Sequence, residues 1–243
     1  MPNIRPAVFQ SPDAIEVLLS PSTSQPGDLL LAFVSYESGT FDAELTGGTP
    51  EWQLLTSKFT TAGGVSDIKG LLATGIWWKP AAAADSSWAL DLGEIDGTYM
   101  VSAVVAVTDA LLTAPQFTVS ADQTASTNQL TTVTSPAGPS PAIGDLELRW
   151  VAGDNYPTSQ NLREWNAPAQ TSEVVDLNGS YVTGTLTSQT LTAASSPSRN
   201  HTLSNGGVFA AHGFTLRIRS AAVLAPGAAV LAPAAAAQRA ASW

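Results

Sequence analysis

The feature that most constrains this chain is an eight-residue stretch that occurs twice. Gly27-Asp28-Leu29-Leu30-Leu31-Ala32-Phe33-Val34 is echoed, 117 positions later, by Gly144-Asp145-Leu146-Glu147-Leu148-Arg149-Trp150-Val151. Each copy begins with a Gly-Asp turn signal, and the first runs directly into a short apolar stretch, Asp28–Tyr36, the pattern of a strand buried in a core. Further echoes follow in the same order. Glu51-Trp52 matches Glu164-Trp165, Leu72–Trp78 matches Tyr181–Leu186, Trp88-Ala89-Leu90 matches His201-Thr202-Leu203, and Tyr99–Asp109 matches Val208–Ile218. The order points to two duplicated half-sets of strands, about 1–112 and 113–220. The alternative is that any β protein rich in Gly-Asp turns yields such echoes.

Periodicity favours strands throughout. Ile15, Val17 and Leu19 alternate with Glu16 and Leu18, and Leu71–Lys79, Trp88–Leu92 and Tyr99–Thr108 are short apolar runs bounded by turn residues. The last is long enough for a helix, but its Val-rich centre favours a central strand. No segment carries an apolar stripe at i, i+3, i+4 and i+7 over three turns. The expected fold is therefore all-β: two sheets packed face to face in a jelly-roll-like sandwich over residues 1–220. Thr113–Pro141 is expected to cross between the half-sets and to contain a strand at Leu130–Thr134.

Past Ser220 the chemistry changes. Ala221–Gly227 (AAVLAPG) is followed by Ala228–Ala234 (AAVLAPA), a seven-residue repeat of small apolar groups whose prolines forbid a long helix. One reading is a low-complexity tail. The other, favoured by its near lack of charge, is a C-terminal docking arm over 221–243, with Val223, Leu224, Val230, Leu231 and Trp243 as its contact residues.

Composition then removes most chemistries. With no cysteine among its 243 residues, the chain has no disulfide, thiolate metal site or cysteine nucleophile, and two histidines leave little for a metal or a general base. The net charge is −10, all of it in the first 143 residues, so phosphate backbones are repelled and nucleic acid is not an expected partner. No apolar run is long enough to span a bilayer, and the N-terminus lacks the pattern of a signal peptide, so no membrane association is expected.

Few residues suggest a site. Trp77 and Trp78 are adjacent, so a strand points them to opposite faces, one into the core and the other to the surface or an interface. Such a tryptophan can anchor a protein contact or stack on a sugar. Trp52, Trp88, Trp150 and Trp165 read as core. Asp91, Glu94 and Asp96 loosely resemble a calcium loop but lack its full pattern, and read as a solvated turn. Asp28 and Asp145 read as turn-capping groups. His212 reads as a core or interface histidine, and His201 falls in a polar loop. No nucleophile elbow, phosphate loop or dinucleotide fingerprint is present. No catalytic, metal or cofactor residue is assigned.

Four segments carry a resemblance to a known family. They are Pro26–Val34, Pro50-Glu51-Trp52-Gln53-Leu54-Leu55, Gly75-Ile76-Trp77-Trp78-Lys79-Pro80 and Tyr99–Ala110. Over residues 15–112 the chain resembles virion proteins of tailed phages of actinobacteria, mostly minor tail proteins and less often capsid-surface or decoration proteins. The resemblance implies a non-enzymatic structural protein of the virion, assembled in the host cytoplasm through contacts with itself and with other virion proteins. A carbohydrate-binding module that meets a host-surface glycan is the alternative from another class.

Overall fold

The structure, a computed structural model, describes residues 1–10, 17–38, 40–61, 71–83, 85–92, 99–125, 129–154, 164–179 and 181–221. Among these residues the secondary structure is β-strand with no α-helix. The first half contributes β1 (Asn3–Ile4), β2 (Val8–Gln10), β3 (Val17–Leu19), β4 (Leu29–Tyr36) and β5 (Glu44–Thr46). It continues with β6 (Gln53–Thr61), β7 (Leu71–Pro80), β8 (Ser87–Asp91) and β9 (Met100–Thr108). The second half contributes β10 (Gln116–Val119), β11 (Gln123–Thr124), β12 (Thr132–Ser135), β13 (Leu146–Asp154) and β14 (Trp165–Asn166). Then come β15 (Ser172–Asn178), β16 (Val182–Thr190), β17 (Arg199–Leu203) and β18 (Ala210–Ile218).

The halves have one topology. A six-stranded sheet in the order β1-β9-β4-β7-β6, with β2 also on β9, is matched by β10-β18-β13-β16-β15, with β11 also on β18. A three-stranded sheet β3-β8-β5 is matched by β12-β17-β14. All pairings are antiparallel, and even the β-bulge recurs, between Leu54 and Thr56 on β6 and between Glu173 and Val175 on β15. The turn that opens the motif is the same in both halves. Gly27 and Gly144 adopt φ of +95° and +86°, and the Asp28 and Asp145 amides bond back to the Gln25 and Ala142 carbonyls.

The two six-stranded sheets face each other as a sandwich, and each carries its three-stranded sheet on the outside. Leu29, Leu31 and Phe33 of β4 meet Leu148, Trp150 and Ala152 of β13 in the central core, while Leu30, Ala32 and Val34 point the other way, toward Leu18, Leu45 and Trp88. Every residue of β4 and of β13 is buried for this reason. A sheet covered on both faces needs no polar alternation, which is why β4 reads as a continuous apolar run, whereas β13 buries Glu147 and Arg149 on its outward face. Phe33 and Trp150, the same position of the repeat, stack on one another at 5.5 Å. Where the halves end, the Leu111 amide donates to the Arg219 carbonyl and the Ala221 amide to that of Asp109. These bonds flank the antiparallel bridge of Ala110 with Ser220, and the stacking of the equivalent residues Phe33 and Trp150 is the contact expected at a two-fold axis.

Several expectations need correction. The strand expected at Leu130–Thr134 is present as β12, shifted to Thr132–Ser135, with Leu130 in a bridge to Val208, but Thr113–Pro141 also supplies β10 and β11 of the second half and is no mere crossing. In β3 the inward residue is Leu18, set opposite Trp88, and Val17 and Leu19 are 44% and 45% exposed. The match of Glu51-Trp52 to Glu164-Trp165 is coincidental. Trp165 pairs with Leu203 as Leu45 pairs with Leu90, so its counterpart is Leu45. His201 is itself buried and lies on strand β17, not in a loop.

Candidate functional site

Trp77 and Trp78 do point to opposite faces of β7. Trp77 is 3% exposed and packs toward the outer sheet at 5.9 Å from Phe41, while the half-buried Trp78 packs on the central core. Neither ring stands free on the surface. Val223, Leu224, Val230, Leu231 and Trp243 lie outside the described residues, as do Glu94 and Asp96. Trp52, Trp88, Trp150 and Trp165 are buried.

The interior holds more charge than the sequence patterns suggest. Lys79, wholly buried, pairs with Asp85 at 2.8 Å between the indoles of Trp52 and Trp88, whose centroids lie 5.7 Å and 5.5 Å from Nζ. In the second half the outward face of β13 carries Glu147 and Arg149, each 1% exposed and 2.7 Å apart. The Arg149 guanidinium also donates to Ser135 Oγ, Ser196 Oγ and the Pro136 and Pro197 carbonyls, at 2.7–3.1 Å. Glu147 accepts in addition from Gln189 and Ser196. Both ions are thus hydrogen-bonded on all sides, the condition for a tolerable buried pair.

A second polar system lies between the halves. Trp150 Nε1, Ser35 Oγ, Thr74 Oγ1, both ring nitrogens of His212, Thr60 Oγ1 and Asp122 Oδ1 form one chain with links of 2.8–3.0 Å. At its outer end Asp122 meets Lys58 at 2.9 Å, which holds the carboxyl below its usual range together with the Thr60 hydrogen bond.

Burial sets the pH behaviour of the interior. His212 and His201 are pushed down to about 3, first by desolvation and then by Lys58 for His212 and by Arg149 and Arg199 for His201. Between pH 6.5 and about 3 the unfolded chain takes up protons that the folded imidazoles refuse, so these groups lower stability as pH falls. Glu37 and Asp176 act in the opposite direction. Desolvation raises them to about 7 and about 6, so stability falls as pH rises through the interval above their ordinary values of 4.5 and 3.8. The expected curve of urea midpoint against pH is shallow from 6.5 to 4.5. Glu37 drops out below 4.5, and below 3.8 the two imidazoles act unopposed, each worth about 1.4 kcal/mol per pH unit. A midpoint that rises on acidification below pH 4 would overturn this assignment.

The outer surface has one feature that sequence reasoning missed. Leu54 and Phe59 are 49% and 55% exposed on the edge strand β6. Their cross-strand partners Trp77 and Ala73 both face the outer layer, so the two side chains project from one face of the edge. The corresponding positions on β15, paired with Thr187 and Thr183, are Glu173 and Asn178. The fold therefore does not require apolar residues there. The available signal was the departure from the repeat, but it cannot be aligned without the bulge register. A polar cleft of about 540 Å3 is also present, lined in part by Gln170, Gln189, Ser195 and Arg199. Among the described residues no three His, Cys, Asp or Glu side chains cluster as a metal site. Compared with known proteins, the chain matches no family model, no curated protein and no solved structure.

Proposed function

We propose that the chain is a non-enzymatic structural protein of a tailed-phage virion, a minor tail protein that assembles through subunit contacts. The observation that carries assembly is the Leu54–Phe59 face of β6. It is apolar and exposed on a strand at the edge of its sheet among the described residues, and the duplicate copy holds polar residues at the same places. Natural proteins blunt such edges unless something covers them. The interior supports the same reading, since Lys79, Asp85, Glu147, Arg149 and His212 are all engaged in holding layers together. The location on the tail rests on the family resemblance.

The test is incorporation. Quantitative mass spectrometry of purified particles is expected to find a few copies of the chain relative to the major capsid protein. Leu54→Glu with Phe59→Glu should remain folded and be lost from the particle. Near-stoichiometric abundance would assign capsid decoration instead, and absence from the particle would overturn the virion reading.

The polar cleft supports a second reading, a module that binds host-surface glycans. Arg199 crosses it, held by the Ala169 carbonyl and the amide oxygens of Gln170 and Gln189 at 2.8–3.2 Å. Amides, hydroxyls and a guanidinium are groups that bind sugar hydroxyls and carboxylates. Glycan binding lost on Arg199→Ala and retained in the Leu54/Phe59 variant would favour it.

A further inference from the structure

The two-fold relation makes the interface between the halves readable side by side. Register carries the correspondence from strand to strand. Ser35 and Ala152 are 117 positions apart; Ser35 pairs with Thr74 and Val101, and Ala152 pairs with Gly184 and His212. Thr74 therefore corresponds to Gly184, and Val101 to His212. One step along, Thr60 pairs with Leu72 where the Gly179 amide bonds to the Val182 carbonyl, so Thr60 corresponds to Gly179. His212 lies against Thr74 and Thr60. Val101, its counterpart, lies against Gly184 and Gly179: a Cβ at those glycines would come within 3.1 Å and 3.4 Å of the Val101 methyls. The same contact is thus made twice, once wholly polar and once wholly apolar.

The polar version has a fixed direction. An indole N–H can only donate and a carboxylate can only accept. From Trp150 Nε1 the protons run to Ser35, from Ser35 to Thr74 and from Thr74 to His212 Nδ1. They continue from Nε2–H to Thr60 and from Thr60 to Asp122. Thr60 gives its one proton to Asp122, so His212 Nε2–H donates to it, and the neutral ring that burial favours accepts from Thr74 at Nδ1.

We infer that His212, Thr74 and Thr60 are specificity determinants that make each half accept the complementary half and reject a second copy of itself. Two first halves brought together would set Val101 against the hydroxyls of Thr74 and Thr60, leaving Thr60 buried without His212 or Asp122 and Thr74 with Ser35 alone. Two second halves would set His212 against Gly184 and Gly179, with no hydroxyl to meet either ring nitrogen. Each unpaired buried group costs about 1–3 kcal/mol, and a two-fold pairing incurs every such cost twice. Duplicated halves face like-with-like pairing between chains as their natural failure, and a polar contact on one side only opposes it.

The experiment uses the full chain. Isotopically light and heavy protein are unfolded together, refolded together and weighed by native mass spectrometry; folded light and heavy protein mixed afterwards serve as the baseline. Wild type is expected to give no mixed-isotope dimer above that baseline. His212→Val with Thr74→Ala and Thr60→Ala, which makes both sides of the interface apolar, should raise the mixed fraction several-fold. A refolded triple variant with the wild-type fraction overturns the inference. Nitrogen NMR of the wild-type imidazoles provides a readout that does not depend on the variant folding. A neutral Nε2–H form of His212 is expected, and an Nδ1–H form or an imidazolium at neutral pH would overturn the directed chain and the inference with it.

Discussion

Arg149→Met lowers the stability of the folded chain by about 3–5 kcal/mol, the usual cost of removing one partner from a buried pair. The substitution leaves Glu147 charged and 1% exposed, and it strips Ser135, Ser196 and the Pro136 and Pro197 carbonyls of a donor. Against a typical domain stability of about 5–15 kcal/mol that is a large fraction. Equilibrium urea unfolding measures it. The companion variant Glu147→Leu with Arg149→Met is expected to recover most of the loss, because apolar replacement of both partners is often neutral or better. The first half already shows that the fold accepts this, since Leu30 and Ala32 occupy the corresponding positions. A double variant as unstable as the single one would mean that the hydrogen-bond network, not the uncompensated charge, sets the cost.

Trp150→Ala has an effect of the same order, about 3–5 kcal/mol for a large aromatic truncated in a core. Its ring stacks on Phe33 at the two-fold axis, and its Nε1 begins the chain that ends at Asp122. Gly184 leaves the space the indole occupies: a Cβ there would lie 3.0 Å from Trp150 Cζ2. Trp150→Phe copies the residue at the corresponding position of the first half and should cost less. It keeps an aromatic on Phe33 but removes the donor to Ser35, a loss of about 1 kcal/mol. Because Trp150 belongs to both halves' packing, the expected Trp150→Ala product is one cooperative transition at lower urea. Two separate transitions would mean that the halves fold independently and that the central core contributes little to either.

The site was less legible than the fold. Trp77 and Trp78 were singled out as an exposed aromatic and a core one, since adjacent residues on a strand must point to opposite faces. Alternation cannot say how many layers lie on each side, and β7 has packing on both. Leu54 and Phe59 passed unnoticed because two apolar residues on a polar strand look like core positions until the sheet shows that β6 is an edge.

What the sequence determined by itself is local. Gly-Asp turns, apolar runs of strand length and the spacing of the echoes are enough for an all-β chain built from two half-sets of strands, because turn geometry and strand periodicity act over a few residues. Which residues meet was decided only by tertiary structure. His212 finds Thr60 across 152 positions and Trp150 finds Ser35 across 115, and nothing in the local pattern of either strand encodes those partners. The three-stranded covers were also hidden: the continuous apolar run of Leu29–Tyr36 signals burial on both faces, but which strands cover the second face is set by packing. Burial, pairing of charge and the asymmetry between the halves arise from packing at long range, where a side chain's partner is fixed by the register of sheets and not by its neighbours in the chain.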